Sequence, residues 1–139
     1  MSLCISSLFF IFIYFLPQSF FSQTGSTQNE VSLKFIEKFN EGKRLFTLNE
    51  TRSALPIFQD LYLQQPYNSN INYLLGICYT EEEPLSGRSI FHLEKAVKDV
   101  STDYDAGSFS EKRTPIFVYY YLTVAYSQNG KCDEAKKAK

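Results

Sequence analysis

A period of 34 residues constrains this chain more strongly than any other feature of its sequence. Gly42 recurs as Gly76, 34 residues later, and similar side chains flank the two glycines. A repeat of this length is typical of a pair of helices, because one pair cannot bury its own apolar face and has to stack on the next. The chain is therefore predicted to be all-α, a short α-solenoid of antiparallel helix pairs.

The period divides the chain into about two and a half units. The first covers about residues 35–68, the second about 69–101 and the third about 116–139, which is truncated; residues 102–115 form an inserted loop. Small side chains would let two helices approach closely, and aromatic ones would fill the space between neighbours. The residues that carry the repeat are Gly42, Leu45, Ala54, Phe58, Pro66, Leu75, Gly76, Tyr79, Ala96, Leu122, Tyr126 and Ala135.

The leucine, glycine and tyrosine of the second unit, together with this spacing, resemble the tetratricopeptide repeat (TPR) family. The segments NINYLLGICY, LEKAVKDVSTDY and YYYLTVAYSQNG are similar to the N-terminal repeat segment of OmpA-like cell-envelope proteins from Gram-negative bacteria. This resemblance implies a scaffold that helps to assemble a cell-envelope complex. Peptidoglycan contact in those proteins belongs to a different domain from the repeat segment.

Helix signals agree with the period. Pro66 is expected to end the second helix, Asn68–Asn70 to cap the third, and Thr114 and Pro115 to start the fifth. The predicted helices run from about Val31 to Leu48, Thr51 to Gln65, Asn70 to Thr80, Ser86 to Val100 and Pro115 to Gln128, and a sixth begins near Cys132.

The N-terminus is typical of an exported protein. The first charged side chain is Glu30, and the apolar run Leu8–Leu16 is followed by Pro17 and small polar residues. This run is shorter than the roughly 20 apolar residues that span a membrane. Residues 1–22 are therefore predicted to be a signal peptide, and residues 23–34 a linker and the start of the first helix. The expected location is the periplasm or the outer-membrane periphery; the alternative is an uncleaved anchor formed by residues 3–21.

The charge balance disfavours a nucleic-acid partner. Lys and Arg total 14 against 15 Asp and Glu, so there is no basic field to bind phosphates. Membrane contact is expected only through the N-terminal segment. The partner is predicted to be a protein or a peptide.

No cofactor, metal or catalytic residue is predicted. His92 is the single histidine and is expected to face solvent or to be partly packed, while Cys78 and Cys132 lack the spacing of a zinc site. Both cysteines are expected on buried helix faces. The acidic segment from Asp103 to Glu111 has the wrong offsets for a calcium loop and is expected to be solvated.

The resemblance also implies a partner site on the groove formed by the first helices of the units. Phe39, Tyr73 and Tyr120 stand three residues before Gly42, Gly76 and Thr123, at the place that faces the groove in this family. Lys43, Ile77 and Val124 would border this aromatic line. The alternative is that these aromatic residues only pack between units.

The sequence thus predicts an exported, non-catalytic TPR scaffold that mediates protein–protein interaction. Two alternatives stay open. One is a structural module anchored by its N-terminal helix, and the other is an accessory domain of an enzyme or carrier whose site has no recognisable motif.

Overall fold

The computed structural model describes residues 24–138 of the chain, and the side chains of residues 29–138. The chain divides into two compact units, Met1–Ser32 and Leu33–Lys139. The described residues of the first unit are helical, and the second unit holds the hydrophobic core. The predicted signal peptide or anchor, residues 1–22, lies outside the described residues.

The described part of the chain is mostly helical, which confirms the all-α prediction. The helices are α1 (Thr24–Thr47), α2 (Thr51–Gln64), α3 (Ser69–Glu82), α4 (Arg88–Ala96), α5 (Val118–Gln128) and α6 (Cys132–Lys137), and a short 3-10 helix, Val97–Asp99, follows α4. Two strands of two residues each, β1 (Val100–Ser101) and β2 (Thr114–Pro115), pair in parallel.

Helix α3 lies at the centre of the fold. Every residue from Ser69 to Thr80 is buried, and α2, α4 and α5 all contact this helix. Asn68 caps its N-terminus, where the side-chain Oδ1 accepts the N–H of Ile71. Thr51, at the start of α2, donates to Glu82, at the end of α3, so these two helices run antiparallel.

Two glycines mark the closest approaches between helices. A Cβ atom on Gly42 would lie 3.0 Å from the Phe58 ring, and one on Gly76 would lie 2.6 Å from Cγ of Leu93. Phe58 and Leu93 are both fully buried. The same kind of contact therefore joins α1 to α2 and α3 to α4, because only a hydrogen atom fits opposite the large side chain.

The predicted helix ends need three corrections. Helix α1 begins at Thr24, seven residues before the predicted start at Val31. Asn68 is the cap of α3, whereas the Asn70 side chain hydrogen-bonds to the insertion between α4 and α5. Thr114 and Pro115 do not start α5 but form β2, because their backbone pairs with Val100–Ser101.

His92 is buried, which corrects the expectation of a solvent-facing or partly packed ring. Its ring stacks on Tyr79 with centroids 5.5 Å apart, and Nδ1 lies 3.0 Å from Oδ1 of Asn72. Burial, together with the positive charges of Lys95 and Arg88, lowers the pKa of His92 to about 4. The imidazole is therefore neutral at pH 7 and serves as a core side chain.

The two cysteines of the described chain differ in burial. Cys78 is buried in α3, and its burial raises the pKa of the thiol to about 12. Cys132 is exposed at the start of α6, so the prediction of a buried face is wrong for this residue. Both thiols are free.

The Gly76–Leu93 contact can be tested by adding one methyl group. Gly76→Ala should lower the free energy of unfolding by about 1–2 kcal/mol, because the clash outweighs the roughly 1 kcal/mol that alanine gains in helix propensity. Urea denaturation followed by circular dichroism measures the change. Gly107→Ala is the control, since its added Cβ meets only Asp105 Oδ1 at 3.4 Å. An unchanged or more stable Gly76→Ala protein would contradict the close approach.

Candidate functional site

A cleft of about 590 Å³ opens between helices α1 and α3 and the segment that joins α4 to α5. Helix α1 supplies Lys43 and Phe46, and helix α3 supplies Tyr73 and Leu74. The remaining lining residues belong to the joining segment: Ser101, Thr102, Tyr104, Ala106, Pro115, Ile116 and Phe117. Most of this wall is apolar or aromatic, and more than half of the lining residues belong to the predicted insertion or its flanks.

Asn70 attaches the insertion to helix α3. Its Oδ1 accepts the hydroxyl proton of Tyr104 at 2.7 Å, and its Nδ2 donates to the backbone carbonyl of Glu111 at 3.2 Å. Its backbone N–H donates to the carbonyl of Lys112 at 3.1 Å. Asn70 is fully buried, so all three hydrogen bonds are shielded from water. One side chain of α3 thus positions the wall of the cleft.

Glu111 and Arg113 stabilise the insertion from within. Oε2 of Glu111 lies 2.7 Å from Nη2 of Arg113, and Oε1 accepts from Nε of the same guanidinium at 2.8 Å. The carboxylate also accepts the backbone N–H groups of Asp105 and Arg113, and Arg113 donates in turn to Ser101. The guanidinium is the main cause that lowers the pKa of Glu111 to about 2.

The acidic segment is therefore only partly the solvated loop that the sequence predicted. Glu111 is buried and fully paired, whereas Asp103 and Asp105 are exposed. No group of three or more potential metal ligands occurs in residues 29–138.

Aromatic rings connect the floor of the cleft to the surface of α5. The Tyr73 ring meets Tyr104 edge-on at 6.5 Å and Tyr121 at 6.0 Å, and Tyr121 meets Tyr120 at 5.3 Å. Burial raises the pKa of Tyr73, with smaller contributions from Tyr121 and Tyr104. The exposed end of this series is Tyr120, and exposed apolar side chains lie beside it in the chain at Ile116, Phe117 and Tyr119.

Lys43 is the one charged side chain among the lining residues of the cleft. It is half-buried, and its Nζ lies 5.7 Å from the centre of the Phe46 ring. Burial lowers the pKa of Lys43. None of the ion pairs within residues 29–138 includes this ammonium group.

The structure does not bring the six predicted partner-binding residues into one exposed line. Phe39, Tyr73 and Ile77 are buried, with 1%, 8% and 2% of their surface exposed. Tyr120 is 63% exposed, and Lys43 and Val124 are intermediate.

The expected aromatic line is corrected accordingly, because two of its three rings are covered. Phe39 stacks on Phe35, and Tyr73 is covered by Tyr104 and Tyr121. Burial of these rings agrees with the packing alternative for Phe39 and Tyr73. Partner binding by the surface members of the set stays a prediction.

Asn70, Tyr104 and Arg113 are the residues of this site that the sequence did not single out. The length of the insertion between the second and third units was visible, but its contact with α3 was not. A signal was present in the consecutive polar residues Asn68, Ser69 and Asn70, because three capping residues are more than one helix needs.

Comparison with protein families, with characterised proteins and with solved structures finds no match to this chain. Within the described residues, no helix is both long enough and apolar enough to cross a bilayer.

The role of Asn70 can be tested by removing its amide. Asn70→Ala should cost about 2–3 kcal/mol, because it leaves the Glu111 carbonyl and the Tyr104 hydroxyl without their partner. It should also speed tryptic cleavage after Lys112 and Arg113, as measured by mass spectrometry on the full chain. Asn40→Ala, an exposed site on α1, is the matched control. Unchanged stability together with unchanged cleavage would show that Asn70 does not hold the insertion.

The pH dependence of stability tests the Glu111 ion pair. The pKa of Glu111 falls from 4.5 to about 2 on folding, so its carboxylate stabilises the fold above about pH 4.5. That contribution is lost as the pH falls through this range, because the unfolded chain takes up the proton first. The unfolding free energies of wild type and Glu111→Gln should therefore differ most near neutral pH and converge towards pH 2.

Urea denaturation at a series of pH values provides the measurement. Glu37→Gln, an exposed change on α1, reports the general effect of removing one negative charge. A difference between wild type and Glu111→Gln that stays constant down to about pH 2 would contradict the lowered pKa.

Proposed function

We propose that this chain is an exported, non-catalytic scaffold of tetratricopeptide-type helix pairs that binds another protein. The proposed setting is the assembly of a bacterial cell-envelope complex, in the periplasm or at the periphery of the outer membrane. The setting rests on the sequence of residues 1–22 and on the resemblance of the repeat segments. The binding role rests on the cleft and on the aromatic surface beside it.

The repeated glycine contact supports the helix-pair architecture. Gly42 faces Phe58, 16 residues later, and Gly76 faces Leu93, 17 residues later. The extra residue matches the longer loop of the second unit. Equivalent contacts at nearly equal spacing are expected of stacked copies of one supersecondary unit.

The cleft is the observation that carries the binding role. It is concave and mainly apolar, and its wall continues into the exposed side chains Ile116 and Phe117. Protein interfaces are rich in aromatic residues, which bury a large area at a small entropic cost. A groove that is already formed can therefore receive a partner segment without refolding of the helices.

Tyr120 is the best-placed residue of the predicted set for a test. It is exposed, and its ring packs against Tyr121, so its orientation is fixed before a partner binds. Tyr120→Ala should reduce partner capture about tenfold or more, as expected for an interface hot spot, while the thermal midpoint stays unchanged. The measurement is quantitative co-purification from cross-linked cell envelopes with tagged full-length chain.

Tyr67→Ala is the matched control, because Tyr67 is 93% exposed but lies outside the cleft, in the turn between α2 and α3. Equal capture by wild type and Tyr120→Ala would exclude this surface of α5. The absence of any specific partner in the cross-linked envelope fraction would contradict the scaffold function itself.

A further inference from the structure

We propose that the cleft between α1, α3 and the insertion binds a partner segment in which a carboxylate side chain lies next to a large apolar side chain. Lys43 would pair with the carboxylate, and Phe46, Leu74 and Phe117 would contact the apolar group. This inference rests on the proposed function and specifies the chemistry of the segment that is bound.

The charge of the cleft carries the first part of the inference. Ten of the eleven lining residues are uncharged, and the exception, Lys43, is half-buried and has no ion-pair partner within residues 29–138. A partly desolvated ammonium group is unfavourable until an anion approaches it. A carboxylate that enters the cleft would compensate the lost hydration and form a charge-assisted hydrogen bond.

Other lysines of the fold show the contrasting situation. Lys38, on the same helix, pairs with Asp60, and Lys95 donates to the Tyr62 hydroxyl at 2.8 Å. Both ammonium groups are thus satisfied within the chain. Lys43 faces only the Phe46 ring, at 5.7 Å, which leaves its N–H donors available to a ligand.

The remaining walls of the cleft carry the apolar part of the inference. Phe46 and Leu74 come from the helices, whereas Ile116 and Phe117 come from the exposed segment before α5. A volume of about 590 Å³ can take a large apolar side chain together with its neighbours. The short loop around Tyr104 forms the opposite side.

The insertion therefore contributes to specificity as well as to shape. Tyr104 is fixed by its hydrogen bond to Asn70, so the wall on this side is preorganised. Preorganised walls reduce the entropic cost of binding and exclude segments that carry a second charge into the apolar part.

The experiment compares two short capped peptides, in which an aspartate or an asparagine precedes a phenylalanine. Both termini are blocked, so the central side chain alone changes the charge. The full-length chain should bind the aspartate peptide about tenfold more tightly than the asparagine peptide, as expected for a charge-assisted contact. Amide NMR shifts at Thr102 and Ala106 locate the bound peptide.

Lys43→Met should abolish this preference, and Lys43→Arg should retain most of it. Lys43→Met should also fold normally, because it replaces an unpaired charge with an apolar chain of similar length. Lys98→Met, at an exposed site, is the matched control for the loss of one positive charge and should keep the preference. Equal binding of the two peptides, or binding of neither by the folded chain, would overturn the inference.

Other occupants give distinct results. If 3-phenylpropionate alone bound as tightly as the aspartate peptide, the cleft would be a small-acid site. If wild type self-associated in sedimentation experiments and Lys43→Met did not, the occupant would be a second copy of the chain. Either result would overturn the partner-segment assignment.

Failure of this inference can be separated from failure of the proposed function. If wild type and Lys43→Met captured the same envelope partner equally, the scaffold function would stand and the carboxylate contact would be wrong. If the peptides bound as expected but no envelope partner were captured, the binding chemistry would stand without the proposed setting.

Discussion

Burial of helix α3 on every side is the constraint on which the rest of the structure depends. No residue from Ser69 to Thr80 reaches the solvent to any large extent, so each neighbour has to fit a fixed surface. Gly76 allows α4 to approach, and Asn70 provides the buried polar group to which the insertion binds. The core and the cleft are thus two faces of one helix, and a change in its position would alter both.

The insertion changes what an array of helix pairs would offer to a partner. Tyr104 covers Tyr73, a ring that the repeat pattern alone would leave in the open groove. The covered surface is replaced by a narrower cleft whose second wall is the insertion itself. Recognition therefore depends on the segment that departs from the repeat, which is common where loops are held by a rigid scaffold.

The polar groups on the two sides of the cleft differ in how well they are satisfied. Glu111 receives four hydrogen bonds from Arg113 and Asp105, and this saturation is why its pKa is so low. Lys43 has no such partner within residues 29–138, and burial shifts its pKa in the direction that disfavours its charge. Saturated groups hold the structure, whereas an unsaturated one at the edge of an apolar cleft is available to a ligand.

Periodicity, capping residues and small side chains were enough to predict the number of helices, most of their boundaries and the close contacts at Gly42 and Gly76, because these signals act over one or two turns. Burial of Phe39 and Tyr73, and the pairing of Thr114–Pro115 as a strand, became evident only in the folded chain. The same holds for the contacts of Asn70 with residues 34 and 41 positions away. These features depend on how the insertion folds back on α3, and a contact between distant segments leaves no periodic pattern in the sequence around either of them.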